Sequence, residues 1–281
     1  MTSDTELRSR SEMTSRARAG ARTPIATWLL YAVTALGFVY LFVPLVTIVV
    51  FTFNQPRGRF NTTWQRFTWD NWRHAFERSD YTDAFLVSVQ VALVACVAAT
   101  VLGGLLALAI GRYRMRGGAA INLLLVLPLA PPEIVLGASF FTLFFDQGVT
   151  LGFWTVVLAH TMFCLSFAAL TLKARVRSLD WTLEEAAADL GSPPLRTFVK
   201  VTLPLLLPGI AAAFLLSLAL SVDDYITTSF VAGATTTFPK EVFDSTRATI
   251  PPQVHVIATL TMLIAIAILV LSTVSASRRR G

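Results

Sequence analysis

The chain has 281 residues, of which 54% are hydrophobic and 14% charged, and its formal net charge is +6. A mean hydropathy of +0.63 excludes an ordinary soluble protein, because a chain of this length cannot bury so much apolar surface. The apolar residues gather in runs of about 20 or more, the length of a helix that crosses a bilayer. The sequence therefore predicts an all-α, polytopic membrane protein.

Six apolar runs predict six transmembrane helices, at about 27–53, 84–111, 119–145, 152–174, 203–232 and 254–276. The first 26 residues hold arginines among serines and threonines, a composition that predicts a disordered basic tail. The first run is too long for the apolar part of a cleaved signal peptide, so we expect it to remain as a helix. The predicted organisation is a tail at 1–26 and a six-helix transmembrane domain at 27–281.

Most of the 23 lysines and arginines lie on one side of the membrane if the N-terminus is cytoplasmic. The positive-inside rule then predicts that both termini are cytoplasmic. Arg112, Arg114, Arg116 and the run Arg278–Arg280 are interpreted as topology anchors. Because basic residues that flank apolar helices explain the net charge, we do not expect the chain to bind nucleic acid.

The outer loop at about 54–83 interleaves aromatic and charged residues, among them Trp64, Trp69 and Trp72. Two interpretations are open: the aromatic rings anchor the loop at the membrane interface, or they contact an extracellular partner. The only cysteines, Cys96 and Cys164, lie in separate apolar runs without nearby metal-ligand spacing. We therefore expect neither a disulfide nor a metal site.

The third and fourth runs contain residues that are unusual inside a membrane. Pro128, Pro131 and Pro132 interrupt the third run, either as a hinge or as a simple kink, and Glu133 follows the break directly. His160 lies within the fourth run. The better interpretation of His160 is a neutral, hydrogen-bonded packing residue, and the alternative is a proton sensor or the partner of a carboxylate.

The inner loop at about 175–202 carries explicit helix signals. Thr182 followed by Glu185 matches a capping box, which predicts a helix start. Gly191 predicts the end of that helix, and Pro193 or Pro194 suits the first turn of the next one. The small side chains of 186–188 form a surface that a partner protein can approach closely, although a helix lying on the bilayer explains the same pattern.

Glu185-Ala186-Ala187, then Gly191, then Val201-Thr202-Leu203-Pro204 stand at the spacing of the EAA motif. The chain therefore resembles the permeases of ABC importers, from whose pattern only Val201, in place of isoleucine, departs. The resemblance implies the ABC type I importer permease fold and a loop that couples to a cytoplasmic ATPase. The implied coupling residues are Glu184, Glu185, Ala186, Ala187, Gly191, Leu203 and Pro204.

ATP chemistry is expected in other subunits. The sequence contains no Gly-x-x-x-x-Gly-Lys-Ser/Thr phosphate-binding loop, so we expect a transport subunit that is not an enzyme and carries no cofactor. ATP and Mg²⁺ would then be bound by partner ATPase subunits.

Further segments are similar to spermidine/putrescine permease subunits: Tyr113–Gly117, Pro131–Val135, Leu151–Trp154 and parts of Leu216–Val231. The long basic tail departs from that pattern. The resemblance implies a polyamine importer in the bacterial cytoplasmic membrane. Its implied partners are membrane lipid, a second permease subunit, two copies of an ABC ATPase and an extracytoplasmic polyamine-binding protein.

Asp223 and Asp224 stand in the fifth apolar run. A carboxylate at the centre of a membrane helix costs about 2.5–3.5 kcal/mol, so two adjacent ones need a compensating role. A polycationic amine would be attracted to them and to Glu133, while Tyr225, Phe230 or Phe141 could supply cation–π contact or line its methylene chain. The alternative is that the two aspartates lie near the outer end of the helix and serve packing or capping.

Three other functions stay open from the sequence. The first is an ABC importer permease for another solute, such as thiamine, ferric ion or an opine-like molecule. The second is an ion-coupled secondary transporter that uses Glu133, His160 and Asp223 as a relay. The third, a scaffolding membrane protein, leaves the intramembrane carboxylates without a role.

Overall fold

The computed structural model describes residues 24–112 and 117–278 and confirms the all-α fold. The predicted tail, up to residue 23, lies outside the described residues, as do Arg114, Arg116, Arg279 and Arg280. The helices are α1 (Pro24–Phe51), α2 (Asp70–Arg73), α3 (Ser79–Arg112), α4 (Gly118–Val126), α5 (Glu133–Asp146), α6 (Phe153–Arg177), α7 (Thr182–Asp189), α8 (Pro194–Thr197), α9 (Leu203–Asp223), α10 (Ile226–Val231), α11 (Phe238–Ser245) and α12 (Pro252–Arg278).

Within the described residues, four helical segments are long and apolar enough to cross a membrane: Thr27–Phe51, Ser79–Arg112, Phe153–Arg177 and Pro194–Asp223. The pair α4–α5 makes a fifth if it counts as one bent span. In α12, the segment Pro252–Ala267 is apolar but shorter than a span. The predicted number of six spans is therefore not confirmed and stays a prediction.

The third predicted helix, at 119–145, is broken rather than continuous. Its two parts meet at an angle of 106°, across a 3-10 turn at Leu127–Leu129 and the two prolines before Glu133. Proline has no amide hydrogen for an intrahelical bond, and Pro132 has an extended backbone with φ −55° and ψ 140°, so the two prolines separate one helix from the next. The predicted interruption by prolines is confirmed.

The fifth predicted helix, at 203–232, is also wrong as one continuous element. Helix α9 ends at Asp223, and Asp224 has an extended backbone with φ −69° and ψ 114°. Helix α10 then starts at Ile226. No proline or glycine marks this break, because it is made by a carboxylate that competes for backbone amides, as described below.

The core is formed where α3, α6 and α9 cross at short distance. A Cβ atom at Gly103 of α3 would lie 2.8 Å from the backbone nitrogen of Ala169 in α6. A Cβ atom at Gly209 of α9 would lie 2.7 Å from Cγ of Arg175. Small residues allow such approach, and van der Waals packing then holds membrane helices together. Gly103 and Gly209 therefore serve close helix packing.

The two ends of the helix bundle are different. We call the end formed by residues 52–78 and 246–251 the aromatic-loop end, and the end formed by residues 178–202 the EAA end. At the aromatic-loop end, buried Asn54 donates to Asn61 at 2.7 Å, and the amide of Asn61 donates to the carbonyl of Ile250 at 2.9 Å. These hydrogen bonds tie the predicted outer loop to the start of α12.

Candidate functional site

The start of α7 is capped differently from the prediction. Thr182 is the first residue of the helix rather than its cap, so the predicted capping box of Thr182 and Glu185 is wrong. Instead, Oδ1 of Asp180 accepts hydrogen bonds from the hydroxyl of Thr182 at 2.8 Å and from its amide at 3.1 Å. These bonds lower the pKa of the Asp180 carboxyl, because they stabilise its charged form.

The end of α7 and the start of α8 agree with the prediction. Gly191 has φ +77°, and its amide donates to the carbonyl of Ala188 at 2.8 Å. The amide of Ser192 donates to the carbonyl of Ala187 at 3.0 Å, which completes a Schellman motif. Pro194 is the first residue of α8, where its missing amide hydrogen leaves no partner unsatisfied.

The EAA end presents an exposed apolar surface. Leu190 is 89% and Leu195 76% exposed, and Leu183 and Val199 are about half exposed. Glu185 and Ala186 are exposed between them, while Ala187 is half-buried. Apolar side chains that protrude beside small residues are typical of a surface covered by a partner.

Glu184 points into the subunit, unlike its neighbour. Its carboxylate Oε2 lies 2.5 Å from Nη1 of Arg112, and the Glu184 side chain is 11% exposed. The hydroxyl of buried Thr202 also donates to the Glu184 carboxylate. The guanidinium carbon of Arg112 lies 4.9 Å from the ring centroid of Trp181, within cation–π range.

Leu203 and Pro204, the last predicted coupling residues, form the first turn of α9, after a π-helical turn at Phe198–Thr202. Leu203 is half-buried and Pro204 is exposed. The carbonyl of the next residue, Leu205, accepts hydrogen bonds from Arg175 Nη2 at 2.8 Å and Nε at 3.1 Å. The C-terminal end of α6 is thereby fixed to the first part of α9.

The two adjacent aspartates are in different environments. The Asp224 side chain is 7% exposed, and its Oδ2 accepts from the amide of Thr228 at 2.8 Å and the hydroxyl of Thr228 at 3.0 Å. Its Oδ1 accepts from the amide of Thr227 at 3.2 Å. Asp224 therefore caps the first turn of α10. Asp223, by contrast, is exposed.

His160 of α6 connects this capped turn to the rest of the core. Its Nε2 lies 3.1 Å from Oδ2 of Asp224 and 2.9 Å from the hydroxyl of Thr228. Its Nδ1 lies 2.7 Å from the hydroxyl of Ser221. His160 is 2% exposed, so the predicted hydrogen-bonded packing role is confirmed, and the alternative pairing with a carboxylate is present as well.

The other predicted path residues lie on neighbouring elements. The ring of Tyr225 lies 4.3 Å from that of Phe243 in α11, centroid to centroid. Glu133 is the exposed first residue of α5, and Phe141 is 39% exposed two turns later. Helix α5 meets α10 at Gly137, where a Cβ atom would lie 2.7 Å from the ring of Phe230. The structure therefore places both Glu133 and Asp223 on, or next to, elements that pack together.

Sequence reasoning missed three polar residues that complete these sites: Arg112 as a side-chain partner, Ser221 and Thr228. Arg112 was interpreted as a topology anchor because it ends an apolar run. Ser221 lies three residues before Asp224 and Thr228 four residues after it, and hydroxyls at that spacing from a carboxylate are the available signal of a local cap.

The model of one protein family matches residues 99–280, and that family is described as the inner membrane component of a binding-protein-dependent transport system. The chain belongs to this family. The predicted resemblance to importer permeases is therefore confirmed, and membership places the chain in an inner membrane as part of a transport system. The orientation of its termini stays a prediction.

Relatives of this inner membrane component share about a third of its sequence. The spermidine/putrescine permease protein PotC of Haemophilus influenzae is 35% identical over 236 residues, which cover 84% of this chain and 91% of the relative. The putrescine permease protein PotI of Escherichia coli is 35% identical over 235 residues, covering 80% and 82%.

Solved structures agree on the fold of this family. A chain of a bacterial ABC transporter involved in the import of alginate aligns with a TM-score of 0.67 and 17% identity, covering 91% of this chain and 98% of that one. A chain of the MetNI methionine ABC transporter aligns with a TM-score of 0.56 and 17% identity, covering 68% and 92%. The predicted ABC type I importer permease fold is confirmed.

Proposed function

We propose that this chain is a transmembrane permease subunit of an ATP-driven, binding-protein-dependent importer for polyamines such as spermidine and putrescine. The observation that carries the proposal is the extent of similarity to relatives named as polyamine permeases, at 32–35% identity over most of the chain. An exposed carboxylate at a break in a membrane helix adds a chemical reason, because a polycationic amine is attracted to it.

The proposed partners are a second permease subunit, two copies of a cytoplasmic ABC ATPase and an extracytoplasmic polyamine-binding protein, with membrane lipid around the spans. ATP and Mg²⁺ would be bound by the ATPase subunits. The exposed surface of Glu185, Ala186, Leu190 and Leu195 supports a docking role for the EAA end. Both termini would then be cytoplasmic, on the side of the ATPase.

Along the substrate path, Asp223 takes the role of attracting a protonated amine. Asp224 does not bind the amine but stabilises the helix break next to Asp223, because its oxygens accept from His160 and from donors of α10. Tyr225, two residues after Asp223, can present its ring to the amine by a cation–π contact. Glu133 and Phe141 of α5 would extend the path on the element that packs against α10.

In this mechanism, closure of the ATPase pair moves the docked α7 and α8 of each permease together. The spans then alternate between inward-open and outward-open states, and ATP hydrolysis resets them. The chain supplies a two-state element, and the partner supplies the free energy that shifts it.

The test is ATP hydrolysis by the complete complex, reconstituted with its binding protein. Spermidine and putrescine are compared with thiamine, ferric ion, sulfate and a sugar. We expect stimulation by polyamines alone. Stimulation by another solute, in a complex that does not respond to polyamines, would overturn the proposed cargo. Transport driven by a membrane potential without the ATPase would overturn the ABC mechanism.

A further inference from the structure

The side chain of Glu184 joins three elements of the EAA end. It belongs to α7, it contacts Arg112 at the last residue of α3, and it accepts a hydrogen bond from Thr202 just before α9. Glu184 and Thr202 also stand near the two ends of the EAA motif. The Glu184 carboxylate therefore connects the start of the EAA motif to its end, and it faces the membrane helices.

We propose that Glu184 and Arg112 form a latch that transmits movement of α7 to the membrane helices α3 and α9. This inference rests on the proposed function, in which a partner ATPase moves α7. Glu184 is then a positioning residue within the subunit, and contact with the ATPase is left to Glu185 and the exposed apolar side chains around it.

The geometry of the contact suits transmission of force. A hydrogen bond between two charged groups is stronger than a neutral one and fixes the donor direction. The Arg112 guanidinium also lies over the Trp181 ring at 4.9 Å, so the same arginine contacts the residue just before α7 and a residue within it. A shift of α7 must therefore move Arg112 or break both contacts.

Helix α3 can carry such a shift to the far end of the subunit. It runs unbroken for 34 residues, or about 50 Å at the rise of an α-helix. Next to Arg112, a Cβ atom at Gly111 would lie 2.5 Å from Cγ1 of Val176 in α6, so α3 cannot slide at this end without moving α6. Near the aromatic-loop end, Ser88 of α3 accepts from the amide of Phe238 at 2.8 Å, the residue with which α11 begins.

The experiment uses the complete complex in proteoliposomes and measures spermidine uptake and ATP hydrolysis in the same vesicles. The variants are Glu184→Gln, Arg112→Gln and the double variant. We expect each single variant to lower the number of spermidine molecules moved per ATP by about 10-fold, the loss of one charge-assisted hydrogen bond. Hydrolysis should stay within about 2-fold of wild type, because the docking surface is intact.

The double variant tests the pairing itself. If the two residues act through one contact, removing both lowers the ratio no further than the worse single variant. Asp189→Asn is the matched control, since Asp189 is an exposed carboxylate at the end of the same helix, and it should behave as wild type. Unchanged coupling in both single variants, or losses that multiply in the double variant, would overturn the latch.

Two further arms keep the result decisive. If Glu184→Gln fails to assemble with the ATPase, the variant Glu184→Asp is used instead, because it keeps the charge. Glu184→Asp should assemble and recover part of the coupling, and failure to do so overturns the latch.

If the wild-type complex does not move polyamines at all, the proposed cargo fails. The latch is then tested by a short thiol crosslinker in Arg112→Cys/Glu184→Cys with Cys96 and Cys164 replaced by alanine. Rapid crosslinking is expected, and a rate no higher than that of Arg112→Cys/Asp189→Cys in the same background overturns the latch.

Discussion

Two pairs of adjacent carboxylates, Glu184–Glu185 at the EAA end and Asp223–Asp224 at the break after α9, divide their roles in the same way. In each pair, one carboxylate accepts hydrogen bonds from the protein's own donors, and its neighbour is exposed. Adjacent residues project in different directions, about 100° apart in a helix. A doubled acidic residue can therefore hold the fold with one side chain and present the other to a partner or a substrate.

The pairs differ in what surrounds the inward carboxylate. Glu184 is 11% exposed, and its partner Arg112 is 41% exposed, so water competes for the contact. The side chains of Asp224 and His160 are 7% and 3% exposed, and two backbone amides of α10 also donate to Asp224. A buried acceptor that is removed leaves its hydrogen-bond donors unsatisfied, at a cost of about 1–3 kcal/mol for each donor. We therefore expect Asp224 to matter most for stability and Glu184 most for coupling.

The largest expected effect is loss of stability in Asp224→Ala. The substitution leaves His160 and the amides of Thr227 and Thr228 without their acceptor. The free energy of unfolding should therefore fall by about 3 kcal/mol or more, since each buried unsatisfied donor costs about 1–3 kcal/mol. Thermal unfolding in detergent measures this loss. Asp223→Ala is the control and should stay within about 0.5 kcal/mol of wild type. Equal destabilisation by the two variants would contradict the assignment of the stabilising role to Asp224 alone.

The next effect is loss of uptake in Asp223→Asn, in a protein as stable as wild type. One contact between a carboxylate and a protonated amine contributes about 1.5–3 kcal/mol, so spermidine uptake at low concentration should fall by about 10-fold or more. Initial uptake rates in proteoliposomes check this expectation. Uptake at the wild-type rate would show that Asp223 does not contact the cargo.

The third effect is weaker association with the ATPase, which we expect in a variant of Glu185 but not in a variant of Glu184. Glu185→Gln should weaken the association of this subunit with the ATPase by about 5-fold, since an exposed charge contributes up to about 1 kcal/mol. Glu184→Gln should leave that association unchanged. Copurification of the ATPase at increasing salt measures both variants. Weaker association in Glu184→Gln than in Glu185→Gln would reverse the assignment of the two glutamates.

The smallest effect is expected at the cap of α7. Gly191 has φ +77°, and a residue with a Cβ atom in this conformation costs about 1 kcal/mol. Gly191→Ala should therefore lower the midpoint of thermal unfolding slightly and weaken ATPase binding. Gly118→Ala is the matched control, because a Cβ atom meets no atom within 4 Å at either position but only Gly191 has a positive φ. Identical behaviour of the two variants would exclude a role of the cap.

Local signals in the sequence predicted the elements that depend on backbone chemistry. Gly191 and Pro194 ended and began short helices where expected, because left-handed φ and a missing amide hydrogen are properties of single residues. The proline break before Glu133 followed for the same reason. The residues of the EAA loop and their spacing predicted the family without any knowledge of their contacts.

Contacts between distant segments could not be predicted from the sequence. Arg112 and Glu184 are separated by 72 residues, and His160 and Asp224 by 64, so their pairing depends on how α3, α6 and α9 pack. The break at Asp224 was missed because apolar residues continue on both sides of it, and apolar runs do not reveal where a carboxylate captures amides. Asp180 replaced Thr182 as the cap for a similar reason, since two acceptors competed for one helix start.

The most direct measurement of this division of roles is an experimental structure of the assembled complex with spermidine bound in the path. We predict that a protonated nitrogen of spermidine lies within about 4 Å of the Asp223 carboxylate, the range of an ion pair. Asp224 should keep its contacts with His160 and α10. A structure in which the amine binds Asp224, with His160 released from it, would contradict the account.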